Sequence, residues 1–423
     1  MPHPLKHVVI VGAGFGGLSA AKALAKSPVQ ITLIDQQNHH LFQPLLYQVA
    51  TASLTPAEIA TPIRHVLRKQ GNVRVVMDRV EGVDRAAKEV LCESGERVGY
   101  DALILATGAQ HSYFGNDAWA EHAPGLKTLQ DALALREQVL SAFEKAELLA
   151  DSDPEAAKAY QSFVVIGAGP TGVEMAGAIG ELAASVMRDF RRIDPADNRV
   201  ILVEGGPRVL PSFAEKLSAR AASDLSDLGV EVRVETMVTG VSDTQVETNQ
   251  GVIDARTCIW AAGVQASPAA DWLGIEAGRS GHVEVDKTLR PEGFDDVYVI
   301  GDTARFAPQG DALPGIAPVA KQMGTYVGKR LDAEARGKGF DKPFRYADAG
   351  ALATIGRNRA VADIFGLKVT GFIGWLLWGA AHVYFLIGFK NRLFVVLQWL
   401  WAYVTWQRGV RLIMHRDQDG NVT

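Results

Sequence analysis

One glycine pattern occurs twice in this chain, and each copy dictates the fold around it. Gly12-Ala13-Gly14-Phe15-Gly16-Gly17 follows the apolar run Val8-Val9-Ile10-Val11, and Gly167-Ala168-Gly169-Pro170-Thr171-Gly172 follows Phe163-Val164-Val165-Ile166. Each predicts a strand, a tight turn and a helix, with exposed backbone N–H groups at the helix start that can hold a pyrophosphate. One such unit holds one dinucleotide, so two units imply two. The obvious chemistry between two dinucleotides is electron transfer from a nicotinamide to a flavin.

The segments after each copy sharpen this expectation. Gln30-Ile31-Thr32-Leu33-Ile34 reads as a strand ending at Asp35, whose carboxylate can accept both ribose hydroxyls of an adenosine. Val200-Ile201-Leu202-Val203 ends at Glu204, which favours the free 2′-hydroxyl of NADH over the phosphate of NADPH. Arg208, four residues on, leaves open a site that tolerates the phosphate. Leu105-Ala106-Thr107-Gly108 and Ile259-Trp260-Ala261-Ala262-Gly263 mirror one another as strand ends where the chain passes close to a cofactor. Val297-Tyr298-Val299-Ile300 delivers Gly301 and Asp302 to one spot. Asp302 can accept from a ribityl hydroxyl of FAD or cap the helix that follows.

Further elements are expected as helices over residues 129–150 and 172–190, a helix opened by Thr61 and Pro62, a polar linker over 151–159 and a charged loop over 191–199. The chain of 423 residues is too long for one core. The predicted fold class is α/β, with two Rossmann-like dinucleotide-binding domains arranged as in glutathione reductase but without its redox disulfide, plus a C-terminal helical membrane-binding segment. The expected boundaries are 1–112 with 290–345 for FAD, 113–289 for NADH, and 346–423 for the tail.

A formal charge of -5 gives no basic footprint for nucleic acid. Cys92 and Cys258 are the only cysteines, so no disulfide scaffold, zinc site or iron–sulfur site is expected, and no metal. The start, Met1-Pro2-His3-Pro4-Leu5-Lys6-His7, lacks the series of segments of an export signal and predicts a cytoplasmic catalytic part.

Residues 369–407 differ in kind. Two apolar runs flank Lys390, Asn391 and Arg392, five of the eight tryptophans lie here, and Lys368, Arg408, Arg411 and Arg416 sit at the ends. A buried helix pair, a transmembrane hairpin and a monotopic anchor compete. Tryptophan suits the bilayer interface and the basic groups suit anionic lipid heads, which favours the anchor. Glycines 371, 374, 379 and 388, together with His382, weaken a continuous span.

Taken together, these residues resemble the type II NADH:quinone oxidoreductases, single-chain flavoproteins with two dinucleotide sites. Residues 9–17 resemble the family's FAD fingerprint, 38–50 its following stretch, 167–174 its nicotinamide fingerprint and 298–302 its second flavin contact. Ala317-Pro318-Val319-Ala320-Lys321-Gln322 resembles its quinone-site segment, with Pro318 where many relatives carry glutamine. The resemblance implies tightly bound, non-covalent FAD on Gly12, Gly14, Phe15, Gly16, Gly17, Asp35, Thr107, Gly108, Gly301 and Asp302. It implies NADH on Gly167, Gly169, Pro170, Thr171, Gly172, Glu174, Glu204, Ala262 and Gly263. A membrane quinone would meet Ala317, Pro318 and Gln322, with Glu174 and Gln322 in catalytic roles. The family further implies quinol formation without proton pumping, a homodimer, and a peripheral place on the cytoplasmic face of the inner membrane, on anionic lipid. Two other readings stay open: a soluble or partner-bound NADH:acceptor reductase of ferredoxin type, and a membrane-attached NADH-binding redox sensor.

Overall fold

The structure is a computed structural model, and it describes residues 6–308, 310–405 and 409–413. The chain divides into two compact units: residues 1–41, 60–111 and 264–347 form the first, and 42–59, 112–263 and 348–423 the second.

The first unit is built on a five-stranded sheet in the order Val297–Val299, Ala102–Leu105, His7–Val11, Gln30–Asp35, Val73–Met77. All its pairings are parallel. Its central strands are apolar on both faces, as a sheet covered on both sides requires. The helices Phe15–Ala23 and Ala317–Ala335 pack on one another, which carries the late segment back to the first glycine turn. A three-stranded antiparallel meander, Val80–Asp84, Glu89–Cys92 and Arg97–Gly99, shares the core of Val9, Val11, Leu103, Leu105 and Val297.

The second unit repeats the plan. Its four-stranded parallel sheet runs Val230–Arg233, Arg199–Val203, Ser162–Ile166, Thr257–Trp260, with the helix Pro170–Val186 after the second glycine turn. A C-terminal antiparallel sheet, Ala351–Gly356, Arg359–Ile364 and Leu367–Thr370, packs on that helix. The helices Gly371–Phe385 and Phe389–Thr405 complete the tail.

Several boundaries differ from expectation. Residues 264–289 join the first unit, because Val264–Ala266 pairs with Ala109–His111 and Val283–Glu284 pairs with Ala304–Arg305. Residues 42–59 join the second, where Leu46–Ala50 packs on the helix Leu129–Leu149. Residues 348–423 fall with the second compact unit, and Arg359 bonds Asp224 at 3.0 Å, tying the tail's sheet to the helix Glu215–Asp227. Thr61 opens no helix. Ala60–Pro62 is a strand paired with His39–Leu41, and the helix starts at Ile63. Residues 151–159 are not a linker, for Asp153 caps a helix Pro154–Tyr160 with proline in its first turn. The helix expected over 172–190 spans Pro170–Val186.

Candidate active site

In the first unit Gly12 has φ +98°, and a Cβ there would lie 2.3 Å from the Ala106 carbonyl oxygen. Only glycine fits. A Cβ at Gly14 or Gly108 would meet nothing within 4 Å, so the turn presents bare backbone to an open face. Gly14 is also the N-cap of the helix Phe15–Ala23 and supplies no side-chain acceptor, leaving the first N–H groups for an anion. Asp35 accepts from Ala13 N–H at 2.6 Å and Gln37 N–H at 2.7 Å. Burial pushes its carboxyl above the ordinary range, offset in part by those two bonds and by His39.

His40 lies in the stretch 38–50 that resembles the family's, though it was not among the residues expected to hold FAD. Its Nδ1 lies 3.0 Å from the Ala13 carbonyl oxygen and donates to it, which leaves Nε2 as a buried acceptor with no partner. Burial, with Lys22 and Lys321 nearby, pushes the ring down to about 4, so it is neutral at pH 7. The Thr107 hydroxyl bonds those of Ser267 and Thr303, and Thr303 donates to the Gly108 carbonyl at 3.1 Å. Gly301 N–H donates to Met323 Sδ at 3.3 Å. Asp302 borders a cavity of about 200 Å³ lined also by Ser280, His282, Arg305 and Gly315. An open glycine cradle, a strand-end carboxylate and an orphaned buried acceptor fit a dinucleotide such as FAD.

The second unit repeats the geometry. Gly167 has φ +99°, and a Cβ there would lie 2.5 Å from Ala262 Cα, while the Cβ position at Gly169 is open. A Cβ at Gly263 would strike the Phe114 ring and the Ser112 carbonyl. Pro170 and Thr171 are exposed in the first turn of the helix. Glu204 accepts from Ala168 N–H and Gly206 N–H, each at 2.7 Å. Arg208 is committed elsewhere: its guanidinium donates to the carbonyls of Phe213 at 2.9 Å and Pro211 at 2.8 Å. The cradle fits a nicotinamide dinucleotide, and the carboxylate at its ribose end fits one without a 2′-phosphate.

Glu174 is the fifth residue of the helix Pro170–Val186, just past its first turn. The residue as a whole is half-buried, but its carboxyl is enclosed. Burial pushes it up to about 8, opposed by the Thr354 N–H and the Trp378 indole. At pH 7 it therefore carries a proton. Beside Trp378, His382 Nδ1 lies 2.7 Å from the Trp378 carbonyl, and Trp399 Nε1 donates to Gln48 Oε1 at 2.8 Å. Burial drives His382 down to about 4, so it is neutral too. Gln48, Trp378, His382 and Trp399 were not among the residues expected at the site. A histidine inside an apolar run was the one signal available.

Ala317, Pro318 and Gln322 all lie on the first turns of the helix Ala317–Ala335. The Gln322 amide is engaged at both ends: Nε2 donates to the Ala347 carbonyl and Oε1 accepts from the Ala347 N–H, each at 2.9 Å. Cys92 and Cys258 are buried and free. Burial pushes Cys92 up to about 11, aided by Asp78 and Glu96, and Cys258 up to about 12. Both are thiols rather than thiolates at pH 7 and unsuited to disulfide exchange. No group of metal-ligating side chains occurs among the described residues.

Two dinucleotide cradles on two parallel sheets define a pyridine-nucleotide flavoprotein class, and residues 6–324 match the pyridine nucleotide-disulphide oxidoreductase family. Residues 349–405 match the NDH2 C-terminal domain. The type II NADH:quinone oxidoreductase Ndh of Mycobacterium tuberculosis is 44% identical over 422 residues, covering 96% of this chain and 90% of that protein. The chain thus belongs to the type II NADH:quinone oxidoreductase family. A Staphylococcus aureus enzyme of the same name is 28% identical over 88% of this chain and 92% of its own length. Among solved structures, NDH2 of Plasmodium falciparum in complex with NADH superposes with a TM-score of 0.85 at 19% identity, covering 97% of this chain and 100% of that one. The sulfide:quinone oxidoreductase of Aquifex aeolicus gives 0.72 at 20% identity over 92% and 91%, a likeness of fold.

Proposed function

We infer that the protein oxidises NADH and reduces a membrane quinone to quinol, with FAD as its resident cofactor and without proton pumping. When bound, FAD supplies the two-electron relay between nicotinamide and quinone. The chain supplies the rest. Asp35 and the turn at Gly12–Gly17 hold the FAD ribose and pyrophosphate, while Phe15, Thr107, Gly108, Gly301 and Asp302 line the remainder. Glu204 and the turn at Gly167–Gly172 hold NADH, with Ala262 and Gly263 closing the strand end beside it.

The observation that carries the reading is the Glu174 carboxyl, enclosed without a cation and pushed up to about 8. Quinol formation consumes protons, and a carboxylic acid that keeps its proton at pH 7 can deliver one. Gln322, fastened to the Ala347 peptide, fixes the start of the helix that carries Ala317 and Pro318, the proposed quinone wall. In an anaerobic titration, NADH should bleach the flavin of the purified protein and a soluble quinone analogue should restore it. Glu174→Gln should slow the recovery about 10²-fold or more and slow bleaching by much less. A flavin that NADH cannot bleach, or E174Q that recovers at the wild-type rate, sinks the reading. Bleaching with no advantage for quinones over ferredoxin-type acceptors would favour a soluble reductase, and negligible turnover a sensor.

We place the protein on anionic lipid at the cytoplasmic face of the inner membrane, peripherally and as a homodimer. Support for the lipid surface comes from the tail helices, which expose Phe372, Ile373, Phe389, Leu400, Trp401 and Val404. No helix among the described residues is long and apolar enough to cross a membrane. The dimer rests on the family likeness, and light scattering of the detergent-solubilised protein tests it.

A further inference from the structure

The tail helix Gly371–Phe385 does more than offer an apolar face, because one of its side chains turns inward. Trp378 is 2% exposed. Its ring centroid lies 4.3 Å from that of His382 and 5.3 Å from that of Trp399. His382 is held in turn by the Trp378 carbonyl and by the edge of Phe42 at 6.1 Å, and Trp399 by Gln48. The indole is therefore packed between two aromatic rings. Its Nε1 is buried and makes no hydrogen bond of full geometry, yet it faces the Glu174 carboxyl. A buried donor left without an acceptor is costly, which argues that the pairing closes in the working enzyme.

We propose that Trp378 is a positioning residue for Glu174: its indole N–H, clamped by the aromatic packing of the tail, fixes the carboxyl in the orientation from which it hands its proton to the quinone. This rests on the reading of Glu174 as proton donor. An indole can only donate, so it must meet a lone pair of one carboxyl oxygen, and this favours the proton on the other. The Thr354 N–H gives the second fixed donor. It is brought there because the strand Ala351–Gly356 touches the Glu174 helix so closely that a Cβ on Gly177 would lie 1.8 Å from the Ile355 carbonyl.

Among the described residues no charged side chain acts on this carboxyl. On the tail helix His382 is neutral, and in the segment Leu46–Ala50 the Gln48 amide donates to the Tyr47 hydroxyl at 2.9 Å. On the other elements packed against the helix, Glu204 is spent on backbone N–H groups, Asp224 on Arg220 and Arg359, and Glu231 on Arg199 and Arg233. Glu181, on the same helix, accepts from the Arg357 N–H. Arg357 itself stacks on Tyr403 at 4.0 Å.

The test is Trp378→Phe in the holoenzyme, which keeps a ring and removes the N–H. The readout is the pH profile of kcat/KM for a soluble quinone analogue. The basic limb marks loss of the Glu174 proton near pH 8. An N–H that stabilises the carboxylate holds that limb down, so W378F should move it up by about one pH unit. Flavin reduction by NADH should be unchanged. In the E174Q background W378F should have no further effect on quinone reduction. A fall in rate equal at every pH, with the limb unmoved, means mere packing and overturns the proposal. If E174Q itself reduces quinone normally, the underlying reading fails instead. Should W378F lose its flavin, ultraviolet resonance Raman spectra of the wild type decide. The band sensitive to indole hydrogen bonding must shift for one tryptophan as the pH crosses 8 and stay still in E174Q; no shift in the wild type overturns the proposal.

Discussion

Glu174 shows how far one side chain can depart from its ordinary chemistry without a charged partner. Its carboxyl is pushed up by enclosure, and two N–H donors only partly restore the charged form. The consequence reaches stability as well as catalysis. An acid raised from 4.5 to about 8 keeps its proton in the folded state while the unfolded chain gives its proton up. Across that window the unfolded state binds fewer protons, so folding weakens as pH rises, by ~1.4 kcal/mol for each pH unit between the two values. Glu174→Gln removes this slope. The melting temperature of E174Q relative to wild type should therefore climb between pH 5 and pH 8 and level off above. Parallel curves for the two proteins across that range would show that Glu174 is not raised. His382 and His40, both pushed down from 6.5 to about 4, stay neutral in the folded state while the unfolded chain protonates them, so each adds an opposite slope between those two values that cancels when E174Q is compared with wild type.

At the scale of elements, what was legible in the sequence is what local sterics decide. The turns at Gly12 and Gly167 demand glycine whatever surrounds them, and Asp35 and Glu204 fall at strand ends because the βαβ unit has a set length. The two tail helices, Gly371–Phe385 and Phe389–Thr405, announce themselves by composition. Pairings between distant segments were not legible. Nothing near Gln322 signals that the Ala347 peptide will take both ends of its amide, and nothing near Trp378 signals Glu174. The helix Pro154–Tyr160 was missed although its Asp-Pro start was in view, because a short polar helix differs little in composition from a linker. Arg408, Arg416 and Trp406 lie outside the described residues. The tail's exposed apolar face supports a direct test. Leu400 is 58% exposed and Val404 70%, so Asp at either position removes no core contact of weight. Each loses ~1.5–3 kcal/mol of apolar burial in lipid, about tenfold or more in affinity. Co-sedimentation with anionic liposomes should fall by that factor in L400D and V404D while flavin content stays constant. Unchanged sedimentation would mean that this face does not meet the bilayer.

The whole molecule uses one device twice and gives each copy a different charge environment and a different companion. The first turn is backed by the returning helix Ala317–Ala335, the second by the C-terminal sheet and tail. Since each cradle belongs to its own unit, lesions in the two should separate cleanly. Gly12→Ala places a methyl 2.3 Å from the Ala106 carbonyl in a left-handed backbone, a strain of ~1–2 kcal/mol before the clash is counted. Gly167→Ala does the same against Ala262 at 2.5 Å. G12A should purify with little or no flavin. G167A should purify yellow, with a KM for NADH raised at least about tenfold and with chemical reductants still bleaching its flavin. Flavin content measured by absorbance, beside bleaching by NADH and by dithionite, distinguishes the two. If G167A lost its flavin as completely as G12A, the units would fold as one cooperative body and the assignment of one dinucleotide to each would lose its support.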